Sequence, residues 1–183
     1  YQIDKVLSDA PFSLTFTADQ NAALTLDNTK FSMDGTGLAT EAHGIYMAGR
    51  GRNELNVNNH STLTINNCFN AIAWDGVDGG NEGSTYFINI TDGSTFTADG
   101  NNGGIIGRES LDVLVDNSTL TVTNCTDRGN WEGRSGFNGA DVKIVNGSTA
   151  NISGNHGGYG IHANNLLVEN STLTANDNGY GSI

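Results

Sequence analysis

The sequence predicts an all-β solenoid, a stack of short strand-built turns, and three observations predict it. A Ser/Thr-rich segment recurs along almost the whole chain, polarity alternates within it, and residues that tolerate positive φ stand at fixed offsets around it. The repeats open with a residue that we call the anchor, at Thr29, Ser61, Ser94, Ser118, Ser148 and Ser171. The steps between anchors are 32, 33, 24, 30 and 23 residues. Periods of this size are typical of repeats that bury a core only by stacking on their neighbours.

Each repeat contains three predicted strands. In the clearest repeat, Thr119 and Thr121 alternate with Leu120 and Val122 directly after the anchor, and we call this the second strand. Period-2 alternation places the aliphatic side chains on one face and the hydroxyls on the other. The first strand, upstream of each anchor, is predicted by the pairs Leu24/Leu26, Leu55/Val57, Ile88/Ile90, Val113/Val115, Val142/Ile144 and Leu166/Val168. The third strand follows a small residue and carries Ile45, Ile72, Ile105, Phe137, Ile161 and Ile183.

Two sharp bends are predicted at the ends of the second strand. The residues directly before the anchors are Asn28, His60, Gly93, Asn117, Gly147 and Asn170. The residues six positions beyond the anchors are Gly35, Asn67, Gly100, Asn124, Gly154 and Asp177. Gly, Asn, Asp and His adopt the left-handed conformation at low cost, so we expect positive φ at most of these positions.

This arrangement resembles the right-handed parallel β-helix of the pectin-lyase-like superfamily, and the Ser/Thr-rich repeats are similar to its bacterial surface-protein members. The likeness covers the chain roughly from residue 13 to the end. It implies a right-handed parallel β-helix of about six coils with three short strands per coil. The superfamily includes polysaccharide lyases, hydrolases, phage spikes and adhesins, so the fold alone does not choose a function.

A single domain spanning residues 1–183 is expected, because each repeat depends on its neighbours. Residues 1–12, which include the only proline, do not match the repeat and are expected to form an atypical leading segment. Both ends of the sequence are expected to have been cut from a longer surface protein, so neighbouring domains of the same chain are anticipated partners.

The charge balance argues against two classes of partner. Eight Lys and Arg residues against 20 Asp and Glu residues give a net charge of −12, which repels nucleic-acid phosphates and anionic lipids. The longest apolar runs are also too short to span a bilayer. We therefore expect neither nucleic-acid binding nor membrane insertion.

Both cysteines are expected to be free, buried thiols that replace polar residues in a ladder. Cys68 and Cys125 each stand seven positions beyond an anchor, two turns apart. Stacked strands are about 4.8 Å apart, so their Cα atoms would be about 9–10 Å apart, beyond disulfide reach. Redox or metal chemistry, or a disulfide in a shifted register, are the alternatives.

Candidate binding residues cluster beside the third strand, where the long insertions fall. Solenoids usually bind ligands on the side that carries such insertions, and exposed aromatic rings there could stack on sugar rings. The candidate residues are Tyr46, Trp74, Asp75, Arg128, Trp131, Arg134 and Tyr159. Both tryptophans are expected to lie in insertions, outside the inward positions. Folding back of each Trp onto the solenoid is the structural alternative.

The sequence gives weaker support to two other kinds of site, a calcium site and an ice-binding face. Asp75, Asp78, Asn81 and Glu82 supply oxygens suited to Ca²⁺, but their spacing fits neither an EF-hand nor the RTX nonapeptide. No cofactor is therefore expected, and a Ca²⁺ ion bound by this loop is the alternative to a solvated loop. The outward threonine pairs are similar to those of ice-binding β-solenoids, although Lys30, Ser32 and Asn151 interrupt them, and exposed strands favour threonine in any case.

The expected function is that of a non-catalytic, secreted segment of a bacterial cell-surface adhesin that binds a glycan or glycoprotein. The lyases of the resembled superfamily use clustered acidic Ca²⁺ ligands with an Arg or Lys base, and its hydrolases use close Asp residues with a Gly-His-Gly type motif. Only His156 in Asn155-His-Gly-Gly approaches that motif, and no paired Asp accompanies it. A polysaccharide lyase or hydrolase and a ligand-free spacer are the alternatives.

Overall fold

The computed structural model describes residues 14–16, 22–37, 43–47, 51–74, 84–106, 111–126, 136–179 and 181. Within these ranges the chain forms sixteen β-strands and no helix. Every strand-to-strand pairing between them is parallel, and each strand pairs with its counterpart one repeat earlier or later, as is consistent with a parallel β-helix. We call each set of stacked counterparts a ladder, and each repeat within a ladder a rung.

The first-strand ladder contains the predicted upstream strands. Its members are β2 (Ala22–Asp27), β5 (Arg52–Asn58), β8 (Thr85–Ile90), β11 (Leu111–Asp116), the second part of β13 (Phe137–Val145) and that of β15 (Ile161–Glu169). The aliphatic pairs predicted from the sequence stack in register, and Leu55, Ile88 and Ile144 are 0% exposed.

The second-strand ladder confirms the predicted register. Its members are β3 (Lys30–Asp34), β6 (Thr62–Asn66), β9 (Thr95–Asp99), β12 (Thr119–Thr123), β14 (Thr149–Ser153) and β16 (Thr172–Thr174). Leu63, Phe96 and Leu120 point inward and are fully buried. The outward residues Thr62, Thr95 and their equivalents form a column of threonines.

The third-strand ladder begins one rung earlier than the sequence predicted. Its members are β1 (Leu14–Phe16), β4 (Ile45–Met47), β7 (Asn70–Trp74), β10 (Gly103–Ile106) and the first parts of β13 and β15. The pairing of β1 with β4 places a strand one rung ahead of the first repeat. The short links after Phe137 and Ile161 have extended backbone. In these two repeats the third strand and the first strand that follows it therefore form one continuous strand, β13 or β15. Ile183 lies outside the described residues.

The predicted bends are present at all but one position. Before the anchors, φ is 48° at Asn28, 60° at His60, 73° at Gly93, 47° at Asn117, 80° at Gly147 and 50° at Asn170. After the second strand, φ is 55° at Asn67, 64° at Gly100, 56° at Asn124, 70° at Gly154 and 53° at Asp177. The prediction was wrong for Gly35, which is not among the residues with positive φ. A Cβ atom there would lie 2.5 Å from the carbonyl oxygen of Asn67, so close backbone approach requires the glycine.

A serine hydroxyl links each rung to the next. The N–H of Thr29 donates to the hydroxyl of Ser61 at 3.0 Å, and the anchors of the next four rungs repeat this contact at 3.1 Å. Ser148 also donates to the carbonyl oxygen of Val115 at 3.0 Å. The N–H groups of Ser61, Ser94 and Ser148 also donate to the backbone carbonyl three residues earlier, at 3.1, 3.2 and 3.3 Å. For these buried donors the hydroxyl is thus a second acceptor, and it lies in the next rung.

An asparagine ladder performs the same task at the opposite bend. The Asn101 amide oxygen accepts from the Cys68 N–H, and its amide nitrogen donates to the Ile65 carbonyl, both at 2.9 Å. Asn155 and Asn178 repeat this arrangement in the later rungs. Asn101 and Asn155 are 0% exposed, so these bonds lie in the interior.

The cysteines occupy rungs of this asparagine ladder, as the sequence predicted. Cys68 and Cys125 are both buried and free, and Asn101 lies between them in the stack. Burial raises the pKa of the Cys68 thiol to about 11 and that of the Cys125 thiol to about 12. Each thiol therefore remains protonated and unreactive in the folded protein at neutral pH.

The bend asparagines also connect to acidic side chains of the preceding rung. The amide of Asn67 donates to Asp34 at 3.0 Å, and that of Asn124 donates to Asp99 at 2.8 Å. The bond from Asn67 is the main cause that lowers the pKa of Asp34. Each of these asparagines therefore both adopts the bend conformation and hydrogen-bonds to the preceding rung.

Replacing Ser148 by alanine should lower the free energy of unfolding by about 1–3 kcal/mol, because the buried Ser118 N–H loses its acceptor. Urea denaturation gives the measurement, and Thr149→Ala, at the exposed neighbouring residue, is the matched control. An equal loss in both variants would contradict the role of the hydroxyl ladder.

Asn101→Asp should be far more destabilising at pH 7 than Asn164→Asp, although both changes are isosteric. A carboxylate at position 101 can accept from Cys68 but cannot donate to Ile65 and would be buried without a counter-ion, which costs upwards of about 3 kcal/mol. Asn164 is exposed. Comparable unfolding midpoints for the two variants would show that Asn101 is dispensable.

The cysteines should make the protein less stable at high pH. Unfolded thiols ionise near pH 9 whereas the folded ones hold their protons to about 11 and 12. Ionisation therefore favours the unfolded state as the pH rises through this range, by up to about 1.4 kcal/mol per pH unit for each thiol. The difference in unfolding free energy between the wild type and Cys68→Ser/Cys125→Ser should shrink from pH 9 to pH 11. A constant difference would refute this.

Candidate ligand-binding face

We call the outward side of the third-strand ladder the third-strand face. Tyr46 projects from its second rung, in register with Thr15 on one side and Ala73 on the other. His162 holds the equivalent position four rungs further on, next to Asn138. With about 4.8 Å between rungs, Tyr46 and His162 are about 19 Å apart along the ladder.

Tyr46 belongs to a half-buried aromatic cluster. The His43 ring stacks on it, with centroids 5.1 Å apart and an interplanar angle of 18°. Phe69 meets the His43 ring edge-on at 5.5 Å. The Asn70 amide nitrogen lies 3.2 Å from Nδ1 of His43; since that amide can only donate, Nδ1 is the acceptor and a neutral His43 carries its proton on Nε2.

A second aromatic pair lies at the far end of the face. The rings of Tyr159 and His162 stack with centroids 5.5 Å apart at 25°. Tyr159 is 39% exposed, and His162 is also exposed. The backbone of Tyr159 is held on both sides, because its carbonyl accepts from the Gly136 N–H at 3.2 Å and it bridges to Gly181. An open ring on a fixed backbone is a suitable platform for a flat ligand surface.

The two pairs share a motif that the sequence prediction missed. His43-Gly-Ile-Tyr46 and Tyr159-Gly-Ile-His162 each place two aromatic residues around a glycine and a buried isoleucine. His43, His162, Phe69 and Asn70 were not among the candidate residues chosen from the sequence. In both repeats a His and a Tyr stand three positions apart around Gly-Ile, in opposite orders. This repeated spacing is the sequence signal that could have predicted the two stacked pairs.

The structure places Trp74 differently from the prediction. Trp74 lies within β7, where it pairs in register with Met47, whose side chain is 0% exposed. Its backbone therefore belongs to the third-strand ladder and not to an insertion; its side chain lies outside what is described. Asp75, Arg128, Trp131 and Arg134 lie outside the described residues, as do the possible calcium ligands Asp78, Asn81 and Glu82. Their part in a common site stays a prediction.

Charged groups within the described ranges lie mainly on other faces. Arg52 pairs with Glu54 on the first-strand ladder, which lowers the pKa of Glu54, and its guanidinium lies 3.7 Å from the Phe87 ring centroid. No group of three or more His, Cys, Asp or Glu side chains that could hold a metal is found in the described part of the chain. Nor does that part contain a helix long and apolar enough to cross a membrane.

The outward threonines stack as the sequence suggested. Thr62, Thr95, Thr119, Thr149 and Thr172 form one continuous column, and Lys30 precedes it. A second column of threonines lies two residues further along each second strand, and Asn151 interrupts it. The similarity to ice-binding β-solenoids thus holds for one column and is interrupted in the other.

Comparison with protein-family models, with curated proteins and with solved structures finds no match to this chain. The functional argument therefore rests on the geometry of the third-strand face.

Proposed function

We propose that this chain is a segment of a bacterial surface adhesin, displayed outside the cell, that binds a glycan or the glycan of a glycoprotein without cleaving it. In this proposal the segment is a right-handed parallel β-helix of about six coils, with three short strands per coil. The third-strand face is its ligand-binding side.

One observation carries the proposal, namely two stacked aromatic pairs on the same face. Sugar rings present flat C–H faces that pack on aromatic rings, while their hydroxyl groups need donors and acceptors at the edge. Tyr159, at 39% exposed, offers a ring face. The phenol hydroxyl groups, Nε2 of His43 and the imidazole nitrogens of His162 are proposed to supply the polar edges.

The spacing of the pairs supports an extended ligand. Tyr46 and His162 lie about 19 Å apart along one straight ladder. An oligosaccharide of several residues spans such a distance, whereas a monosaccharide would reach one pair only. The three intervening rungs carry Ala73, Ile106 and Asn138 at the equivalent positions. Trp74, Asp75, Arg128, Trp131 and Arg134 are proposed to add contacts from the same side.

The charge of the chain supports a neutral or basic glycan over an acidic one. A net charge of −12 repels uronate and sulfate groups at moderate ionic strength. Ligands with hydroxyl, acetamido or amino groups avoid this repulsion. Binding of anionic glycans should therefore be the weakest in any panel.

Tyr159→Ala should weaken glycan binding about threefold to tenfold, as expected from the loss of one aromatic platform. The measurement is a glycan array followed by titration of the best neutral ligand. Phe87→Ala removes a half-buried aromatic side chain from the first-strand ladder, on another face, and is the control.

Two results would refute the proposed function. One is a wild-type chain that binds no glycan on the array; the other is equal weakening by the Tyr159 and Phe87 substitutions. Scoring the same array for shortened products tests the non-catalytic part, since released fragments would identify a glycan-cleaving enzyme.

A further inference from the structure

Six Asn-Gly or Asp-Gly pairs lie at the bends of the described part of the chain. They are Asp34-Gly35, Asp92-Gly93, Asp99-Gly100, Asn102-Gly103, Asn146-Gly147 and Asn178-Gly179. In an unfolded peptide such pairs modify spontaneously, because glycine has no side chain to hinder attack by its own backbone nitrogen. The bends therefore concentrate the most reactive peptide steps of the sequence.

The reaction at such a pair is a ring closure followed by hydrolysis. The glycine nitrogen attacks the side-chain carbonyl carbon of the residue before it, and its proton passes through water to the leaving group. That group is ammonia from Asn or water from Asp, and the product is a succinimide. Water then opens the succinimide at one of its carbonyls and leaves an aspartyl or an isoaspartyl linkage. The isoaspartyl form adds one carbon atom to the backbone.

Each glycine nitrogen of these pairs donates its N–H to a backbone carbonyl of a neighbouring rung. The acceptor oxygens are those of Asn66 for Gly35 (2.8 Å), Asn117 for Gly93 (2.9 Å), Thr123 for Gly100 (3.1 Å), Phe69 for Gly103 (2.6 Å), Asn170 for Gly147 (2.8 Å) and Asn155 for Gly179 (2.8 Å). The nitrogen can turn towards the side chain of its own neighbour only after it gives up this bond. Stacking thus restrains the attacking atom at every one of these bends.

At two of the bends the side chain under attack is restrained as well. The Asn146 amide donates to Asp116 of the preceding rung at 2.7 Å, whereas the Gly147 N–H is directed to the following rung. The Asp99 carboxylate accepts from Thr123 at 2.7 Å and from Asn124 at 2.8 Å, both in the following rung. Ring closure at these bends requires the release of both reacting groups.

We infer that Asn102 and Asn146 are latent deamidation sites, which the hydrogen bonds between rungs keep closed and which react only when an adjacent rung opens. An isoaspartyl linkage would lengthen the bend before β10 or the one before β14. The strand that follows would then lose its register with the neighbouring rungs and could not stack again. The stack therefore prevents a modification that would destroy it. The inference does not depend on glycan binding, because it rests on the backbone bonds of the bends.

The first experiment compares two rates in the wild-type chain at mildly alkaline pH. Mass spectrometry of proteolytic peptides gives the formation of aspartyl and isoaspartyl products at Asn102 and Asn146. Nuclear magnetic resonance gives amide hydrogen exchange at Gly103 and Gly147 in the same buffer. Synthetic peptides of residues 98–106 and 142–151 supply the unfolded rates of both processes.

The opening that exposes a glycine N–H to exchange also frees its nitrogen to attack. Modification should therefore be at least about 100-fold slower in the folded chain than in the peptides. At each site it should be slowed by at least the factor by which the exchange of the following glycine is slowed. Rates in the folded chain that equal those of the peptides would overturn the inference. So would modification that is less protected than the exchange.

Ser94→Ala and Thr95→Ala give a matched pair of variants. The Ser94 hydroxyl accepts from the Ser61 N–H between the second and third rungs, which the bond from Gly103 to Phe69 also joins. The Thr95 side chain points outward and is half-buried. Ser94→Ala should raise Gly103 exchange and Asn102 modification together, at least about fivefold, and Thr95→Ala less than about twofold.

Two results from these variants would also overturn the inference. One is a faster Gly103 exchange in Ser94→Ala with unchanged modification at Asn102; the other is an equal rise of Asn102 modification in both variants. If Ser94→Ala does not fold, the comparison of exchange with modification in the wild type decides.

Discussion

The contact on which the stack depends is the hydrogen bond from each anchor N–H to the serine hydroxyl of the next rung. At the bend before the second strand, the N–H groups of Ser61, Ser94 and Ser148 donate to the backbone carbonyl three residues earlier, at 3.1, 3.2 and 3.3 Å. Their second acceptor is the serine hydroxyl of the next rung, at 3.1 Å. These three serines are 1% exposed, so the bonds lie in the interior. A hydroxyl small enough to fit between rungs therefore joins adjacent second strands and fixes their vertical alignment.

Alignment at the anchor determines the rest of the core. A slip of β12 by one residue against β9 would turn Leu120 outward and bring Thr121 inward beside Phe96. The hydroxyl bond on one side of the second strand and the asparagine bond on the other hold both of its ends. Between them, each inward aliphatic side chain contributes about 1.5–3 kcal/mol when it is fully buried. Cys68 and Cys125 are tolerated in the asparagine ladder because an intact Asn101 lies between them.

Much of this arrangement was predictable because it is periodic. The Thr-x-Thr alternation and the spacing of Asn and Gly gave the second-strand register and eleven of the twelve bends. Gly35 could not be assigned by the same rule, since its role depends on how closely Asn67 of the next rung approaches. The pairing of Leu14–Phe16 with β4 has no repeat signal before it, and Trp74 joins β7 because Met47 provides a register partner. The His–Tyr stacks depend on how two side chains converge across a bend, which strand periodicity does not encode.

The unequal lengths of the repeats have a consequence for how such a chain can change. The segment between Cys68 and Ile72 advances four residues along the sequence, whereas that between Cys125 and Phe137 advances twelve, yet Ile72, Ile105 and Phe137 stack in one ladder. Closing a loop three times longer costs only about 1 kcal/mol of chain entropy. Insertions beside the third strand are therefore nearly neutral for folding, while any insertion inside the second strand would break two hydrogen-bond ladders at once. Sequence variation is expected to accumulate where a new surface can form and to be excluded where the rungs are joined.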